Sequence, residues 1–87
     1  MVSQIVKITN PTGLHLPAAG NLCQEAMKYK AQVTFEHNGD VANAKSVLSV
    51  LGSSIRFGDE ITLRCDGEDE EAALENLVAF INAGLEY

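Results

Sequence analysis

The stretch TGLHLPAAG at residues 12–20 joins a segment with alternating apolar residues to a segment with helical spacing. Pro17 suits the first position of a helix, because its fixed φ fits and its missing N–H would be unpaired there anyway. A proline also pushes the preceding residue, here Leu16, out of helical geometry. We therefore predict a helix that begins at Pro17, with His15 and Leu16 in the connecting turn. The first N–H groups of a helix favour an anion, so a phosphoryl group on His15 would meet unpaired donors.

Composition and charge limit the possible functions. The chain has 87 residues, of which 46% are hydrophobic, and its formal net charge is -6. This length predicts a single domain over residues 1–87, and this hydrophobic content excludes a disordered chain. Nucleic acid is excluded as the main partner, because binding to phosphates needs clustered Lys and Arg. The acidic run Asp66–Glu71 precedes an apolar periodic segment, which predicts a helix N-terminus there.

Cys23 and Cys65 are the only cysteines, and they lie far apart in the sequence. Both fall on apolar faces, which predicts buried free thiols. With no signal peptide and no long apolar run, we expect a cytoplasmic protein without membrane insertion. No set of residues has the spacing of metal ligands, so we expect no metal and no cofactor.

Apolar spacing predicts seven elements along the chain. Asn38-Gly39 favours a type I′ hairpin turn, and Gly84 suits the residue after the last helix. The predicted order is strand, helix, strand, strand, helix, strand and helix, over residues 2–9, 17–29, 31–37, 40–43, 46–51, 60–66 and 70–83. This βαββαβα order predicts an α+β open-faced β-sandwich, a four-stranded antiparallel sheet covered on one face by three helices.

The motifs within these elements resemble the HPr family, the histidine phosphocarriers of bacterial phosphotransferase systems. The resemblance rests on ITN at residues 8–10, GLH at residues 13–15 and NAKSVL at residues 43–48, and it covers essentially the whole chain. It implies that His15 accepts a phosphoryl group from Enzyme I and passes it to an EIIA-type domain. It also implies a phosphocarrier rather than an enzyme. In many Gram-positive members, an HPr kinase/phosphorylase phosphorylates the serine that matches Ser46.

One position departs from the family pattern. Family members usually read Gly-Leu-His-x-Arg-Pro-Ala, whereas Pro17 stands here in place of the arginine. The change removes a guanidinium that would pair with phosphate, and it removes one backbone N–H. The donors that remain are the backbone N–H groups of Leu16, Ala18 and Ala19. Whether Arg56 or Lys45 approaches in space is open at the level of sequence.

The sequence and the resemblance together assign expected roles to further residues. Ser46 is a good N-cap, and a phosphate there would act at a partner surface through its negative charge. His37, beside the hairpin turn, is expected to be a plain surface residue. Four apolar residues are candidates for partner docking, and we expect at least one of Val47 and Leu48 to be exposed; the set is Leu14, Val47, Leu48 and Leu51.

Two functions remain open on these grounds. The first is phosphotransfer through His15. The second is an HPr-like regulatory binding module, impaired in transfer by Pro17, that acts through Ser46 phosphorylation or by direct docking to a transcriptional regulator or transporter.

Overall fold

The computed structural model describes all residues from Met1 to Tyr87. Four strands and three helices occur in the predicted order. They are β1 (Val2–Lys7), α1 (Ala18–Ala26), β2 (Gln32–His37), β3 (Asp40–Asn43), α2 (Val47–Gly52), β4 (Glu60–Asp66) and α3 (Glu70–Asn82). The predicted elements are thus confirmed, with ends displaced mostly by one to three residues. The first helix begins at Ala18 rather than at Pro17, which is its N-cap.

The strands form one antiparallel sheet in the order β1-β4-β2-β3. Because β4 lies between β1 and β2, the last strand ties the first one into the sheet, with Val6 opposite Ile61 and Phe35 opposite Leu63. The β2–β3 hairpin turns at Asn38 and Gly39, both at positive φ as a type I′ turn requires. The predicted open-faced α+β sandwich is confirmed.

The core lies between the inner face of the sheet and the helices. A single cluster of 21 buried hydrophobic residues fills this layer. On β4, the alternation of the sequence places Ile61, Leu63 and Cys65 in the core, as expected. Burial raises the pKa of the Cys65 thiol. Cys23 is also a free thiol, but it is only half-buried, so the expectation of a buried thiol is wrong there.

The C-terminal half of α1 is fixed by a buried carboxylate. The side chain of Glu25 is 8% exposed and forms an ion pair with Lys28 at 3.0 Å. Its two carboxylate oxygens also accept hydrogen bonds from Asn76 Nδ2 and Tyr87 Oη, each at 2.9 Å. The Asn76 amide is the main reason that the pKa of Glu25 lies below its ordinary value. These contacts join α1 to α3 and to the C-terminal residue.

Candidate functional site

The turn that carries His15 is held by an asparagine and a glycine. Asn10 Nδ2 donates to the carbonyl of Gly13 at 2.6 Å, while the Gly13 N–H donates to the carbonyl of Asn10 at 3.1 Å. Asn10 is 5% exposed, so this pair of bonds is shielded from water. The turn therefore has a fixed shape before the helix begins.

The same turn packs against the chain segment after α2. The Leu14 N–H donates to the carbonyl of Ile55 at 3.1 Å. Gly13 has a φ of +65°, and a Cβ at this position would lie 2.5 Å from the Ile55 carbonyl oxygen and 2.8 Å from Arg56 Cα. Only glycine permits both this backbone conformation and this close approach. Gly13 therefore sets the position of His15 relative to Arg56.

His15 is exposed, and its imidazole makes no hydrogen bond within the protein. Its carbonyl accepts a hydrogen bond from the Ala19 N–H at 2.8 Å, which anchors the backbone of His15 to the first turn of α1. The imidazole is consequently open to a partner. The geometry leaves the imidazole available as a nucleophile in its neutral form.

Two of the three predicted backbone donors are free. The N–H groups of Leu16 and Ala18 have no acceptor within the protein, whereas the Ala19 N–H is occupied by the carbonyl of His15. Ala19 is therefore wrong as a free donor, because the helical hydrogen-bond pattern already begins at His15. The N–H of Gly20, which the sequence reasoning missed, has no acceptor either. Pro17 makes no side-chain cap at this end of α1, although Ala18 and Ala19 are themselves buried residues.

The structure shows which of the two basic residues, Lys45 and Arg56, lies near the turn of His15. Lys45 Nζ donates to the carbonyl of Tyr29 at 2.6 Å, beyond the C-terminal end of α1. Arg56 is exposed, forms no ion pair, and directly follows the carbonyl that receives the Leu14 N–H. Of these two residues, only Arg56 belongs to the segment that packs against the turn of His15.

Ser46 is the N-cap of α2, as expected. Its Oγ accepts a hydrogen bond from the Ser49 N–H at 3.2 Å. Its own N–H donates to the carbonyl of Asn43 at 3.1 Å, and the Asn43 N–H donates to Ser49 Oγ at 2.9 Å. The serine thus has a structural role, and its phosphorylation stays a prediction.

The predicted docking residues differ in exposure. Leu48 is 82% exposed, which meets the expectation for α2, and Val47 and Leu51 are half-buried. Leu14 is 1% exposed, so it is wrong as a docking residue: its side chain turns into the core behind the turn. Two exposed apolar residues that the sequence reasoning missed are Leu16 and Phe57, at 64% and 63%. Leu16 follows His15 in the sequence and Phe57 follows Arg56, and this adjacency to site residues could have indicated both.

His37 lies at the start of the β2–β3 turn, where it joins the hairpin to β4. Its Nδ1 is 3.2 Å from the carbonyl oxygen of Glu60, so this nitrogen carries the proton as a donor. Its Nε2 is 3.2 Å from Asn38 Nδ2 and 3.7 Å from Asp59 Oδ2. His37 is therefore a partly covered structural residue rather than the plain surface residue expected, because the turn before β4 packs against it.

No group of three or more His, Cys, Asp or Glu residues has the geometry to hold a metal ion. None of the helices has both the length and the apolar character needed to cross a membrane.

Comparison with known proteins identifies the class of protein that has this fold and this exposed histidine. The family model described as PTS HPr component phosphorylation site matches residues 2–83. The HPr-like protein Crh of Bacillus subtilis is 38% identical over 81 residues, which cover 93% of this chain and 95% of Crh. The phosphocarrier protein HPr of Buchnera aphidicola is 39% identical over 77 residues, which cover 88% and 91% of the two chains.

Solved structures agree with this result. HPr-C-His from Thermoanaerobacter tengcongensis superposes with a TM-score of 0.95 at 32% identity, over 98% of this chain and 96% of that chain. A crystal structure of Bacillus subtilis Crh, described as a domain-swapped dimer, gives a TM-score of 0.78 at 36% identity over the whole of both chains. The chain belongs to the HPr family, and HPr itself is a phosphocarrier protein of the phosphotransferase system and not an enzyme.

Proposed function

We propose that this protein accepts a phosphoryl group on His15 from Enzyme I and passes it to an EIIA-type domain in the cytoplasm. The observation that carries the proposal is the exposed, unbonded imidazole of His15 beside the free N–H groups of Leu16 and Ala18. In the transfer, an imidazole nitrogen forms a bond to phosphorus as the bond between phosphorus and the donor protein breaks. The free N–H groups and the dipole of α1 would stabilise the charge on the phosphoryl oxygens.

The surface beside His15 supports docking of a partner. Leu48 on α2 and Leu16 next to His15 are exposed apolar side chains, and α1 packs against α2. Contact with apolar groups of a partner would remove these side chains from water, which is favourable. With a net charge of -6, the protein would rely on such apolar contacts rather than on a strong positive patch.

The direct test is incubation with Enzyme I and phosphoenolpyruvate, followed by detection of acid-labile phosphate. We expect labelling of the native protein and of His37→Ala, and no labelling of His15→Ala. Subsequent addition of an EIIA-type domain should remove the label. If the native protein stays unlabelled while a control HPr is labelled, phosphotransfer is not its function.

A second function is favoured by Pro17 and by the similarity to Crh: an HPr-like regulatory module in which Pro17 impairs transfer. Here phosphorylation of Ser46 by an HPr kinase/phosphorylase, or the unmodified surface around Leu48, would control a transcriptional regulator. Phosphate on Ser46 would add negative charge to the α2 side of this surface.

The variant Pro17→Arg separates the two functions. If it raises the rate of labelling by Enzyme I more than about tenfold, equivalent to 1.4 kcal/mol of barrier, the natural protein is a poor carrier and the regulatory function is favoured. If the rate changes little, the natural protein transfers without this arginine.

A further inference from the structure

The N-terminal end of α1 offers hydrogen-bond donors to a phosphoryl group on His15 but no positively charged side chain of its own. Pro17 is its N-cap, and the first residues of the helix, Ala18, Ala19 and Gly20, carry no charged side chain. A phosphoryl group carries a charge of about -1.5 to -2 near neutral pH. Any cation that contacts this group would therefore come from another part of the chain or from a partner.

The other basic residues are engaged or distant. Lys28 pairs with Glu25 at 3.0 Å, Arg64 pairs with Glu36 at 2.7 Å, and Lys45 is bonded to the Tyr29 carbonyl. Lys30 lies just before β2, beyond the opposite end of α1. Lys7 ends β1 and lines a cleft on the outer face of the sheet with Glu36 and His37.

Arg56 is placed differently, because its backbone touches the turn that carries His15. Its Cα would lie 2.8 Å from a Cβ on Gly13, and the residue before it accepts the Leu14 N–H. Gly13 and His15 are two residues apart, so their Cα atoms are separated by at most about 7 Å. The long side chain of Arg56 can span such a distance.

The backbone of Arg56 is also held in place. Its N–H donates to Asp59 Oδ2 at 2.9 Å, and its carbonyl accepts from the Asp59 N–H at 3.1 Å. Asp59 uses this carboxylate oxygen on the backbone, and no ion pair forms between it and the Arg56 guanidinium. The backbone of Arg56 is therefore held in place, whereas its guanidinium group has no partner within the protein.

We propose that Arg56 is a phosphoryl-binding residue, whose guanidinium contacts the oxygens of a phosphoryl group on His15 in place of a cation at position 17. The inference rests on His15 as the phosphoryl acceptor in the proposed function. A guanidinium forms shorter and stronger hydrogen bonds to phosphate than a neutral donor does. It would stabilise the phosphorylated form without any contact to the unmodified imidazole.

The test uses phosphoramidate, which phosphorylates histidine without a protein partner. An imidazole nitrogen of His15 bonds to phosphorus, the P–N bond of phosphoramidate breaks, and ammonia leaves with the proton that the ring gives up. The pKa of the attached phosphoryl group is then followed by ³¹P NMR as the pH is varied. An adjacent guanidinium favours the more highly charged phosphate and so lowers this pKa.

We expect Arg56→Gln to raise the phosphoryl pKa by about half a unit, since an exposed charge acts more weakly than a buried one. Arg56→Lys should restore most of the native value. Lys30→Gln is the matched control, because it removes the same charge from an exposed residue far from the turn, and it should leave the pKa unchanged. A purely structural role of Arg56 would alter the unfolding free energy without this pattern.

Three results would overturn the inference: no shift in Arg56→Gln, an equal shift in Lys30→Gln, or failure of phosphoramidate to modify His15. The outcome is independent of Enzyme I. If Enzyme I does not label the protein but the Arg56-dependent shift is present, the proposed function fails while the role of Arg56 stands.

Discussion

The first turns of α1 and α2 differ in how their backbone N–H groups are used. At α2, the hydroxyl of Ser46 accepts the Ser49 N–H, so the serine itself closes the helix end. At α1, Pro17 contributes no cap, and the N–H groups of Leu16 and Ala18 remain without an acceptor. Unpaired N–H groups at a helix end destabilise the fold when they are buried, but they can bind an anion. The N–H groups of Val47 and Leu48 also lack an acceptor, so the two helices differ in the side-chain cap: Ser46 supplies one at α2, whereas the N-terminal end of α1, here called the open end, has none.

The open end needs support from elsewhere, since it does not stabilise itself. On one side, Asn10 and Gly13 fix the incoming turn through two hydrogen bonds. On the other side, Glu25 locks the last part of α1 to Asn76 and Tyr87. The open end is thus positioned by contacts on both sides of it, one set in the turn that carries His15 and the other at the far end of α1.

Gly13→Ala should break the open end with the largest effect. The added methyl group would clash with the Ile55 carbonyl, and the alanine would have to adopt a positive φ. We therefore expect a loss of about 3 kcal/mol in the free energy of unfolding. Gly39→Ala is the control: Gly39 also has positive φ, but no atom lies within 4 Å of the place that its methyl group would occupy. It should lose only about 1 kcal/mol, from backbone conformation alone.

Urea denaturation of both variants measures the difference. Labelling by Enzyme I should also fall in Gly13→Ala and not in Gly39→Ala, because only the former displaces His15. Equal destabilisation of the two variants would show that the Ile55 carbonyl does not exclude a methyl group at position 13.

Glu25→Gln tests the support at the other end of α1. The folded-state pKa of Glu25 is lowered, first by the Asn76 amide and then by Lys28 and Tyr87. Its ionised form therefore adds stability above the ordinary glutamate pKa of 4.5, and this contribution is lost as the pH falls through the folded-state value. We expect Glu25→Gln to lose about 2 kcal/mol at neutral pH, as for hydrogen bonds to a charged group.

The loss should shrink in acid, where the native carboxylate is protonated as well. Urea denaturation at neutral and at acidic pH measures this dependence. Glu75→Gln, on the exposed face of α3, should differ little from the native protein at either pH. A loss in Glu25→Gln that is the same at both pH values would contradict a role of the charge.

The fold was predictable because its signals are local. Alternation on β4, the Asn38-Gly39 turn and the helical stripe before Gly84 each act over a few residues, and the structure confirms all three. The differences lie at the ends of elements, where for example Pro17 is the N-cap of α1 and not its first residue. Alternation also does not predict how well a residue is covered: Gln4 lies on the same side of β1 as Val6, yet it is exposed in a cleft between β1 and α3. Sequence spacing shows which side a residue faces, but not whether another element covers it.

The site was predictable only in part. The position of His15 before α1 and the N-cap at Ser46 followed from Pro17 and from the motif at residues 43–48. The burial of Leu14 and the approach of Arg56 did not, because both depend on the segment after α2 folding back against the turn. Contacts between residues more than forty positions apart leave no local pattern, and Glu25 with Tyr87 is another example.

Ser46→Ala should sharpen the comparison by removing the side-chain cap of α2. The Ser49 N–H would lose its acceptor, so we expect a loss of about 1 kcal/mol in the free energy of unfolding. Labelling of His15 by Enzyme I should stay near the native rate, because the variant retains the free donors of α1. Ser46→Asp keeps an acceptor at the same place and should recover most of the stability. If Ser46→Ala is as stable as the native protein, the hydrogen bond to Ser49 is not a cap of consequence.

Gly20→Ala has the smallest expected effect. It tests whether α1 can be made more stable without a change in the labelling of His15. Gly20 lies in the first turn of α1 at an ordinary helical φ, and a methyl group there would meet only Leu16 Cδ2, at 3.9 Å. Alanine loses less backbone entropy than glycine in a helix, so we expect a gain of about 0.7 kcal/mol in urea denaturation. The N–H of residue 20 is retained, and labelling of His15 should therefore be unchanged. A stable variant with slower labelling would instead show that a partner or the phosphoryl group approaches the backbone at Gly20 more closely than a methyl group allows.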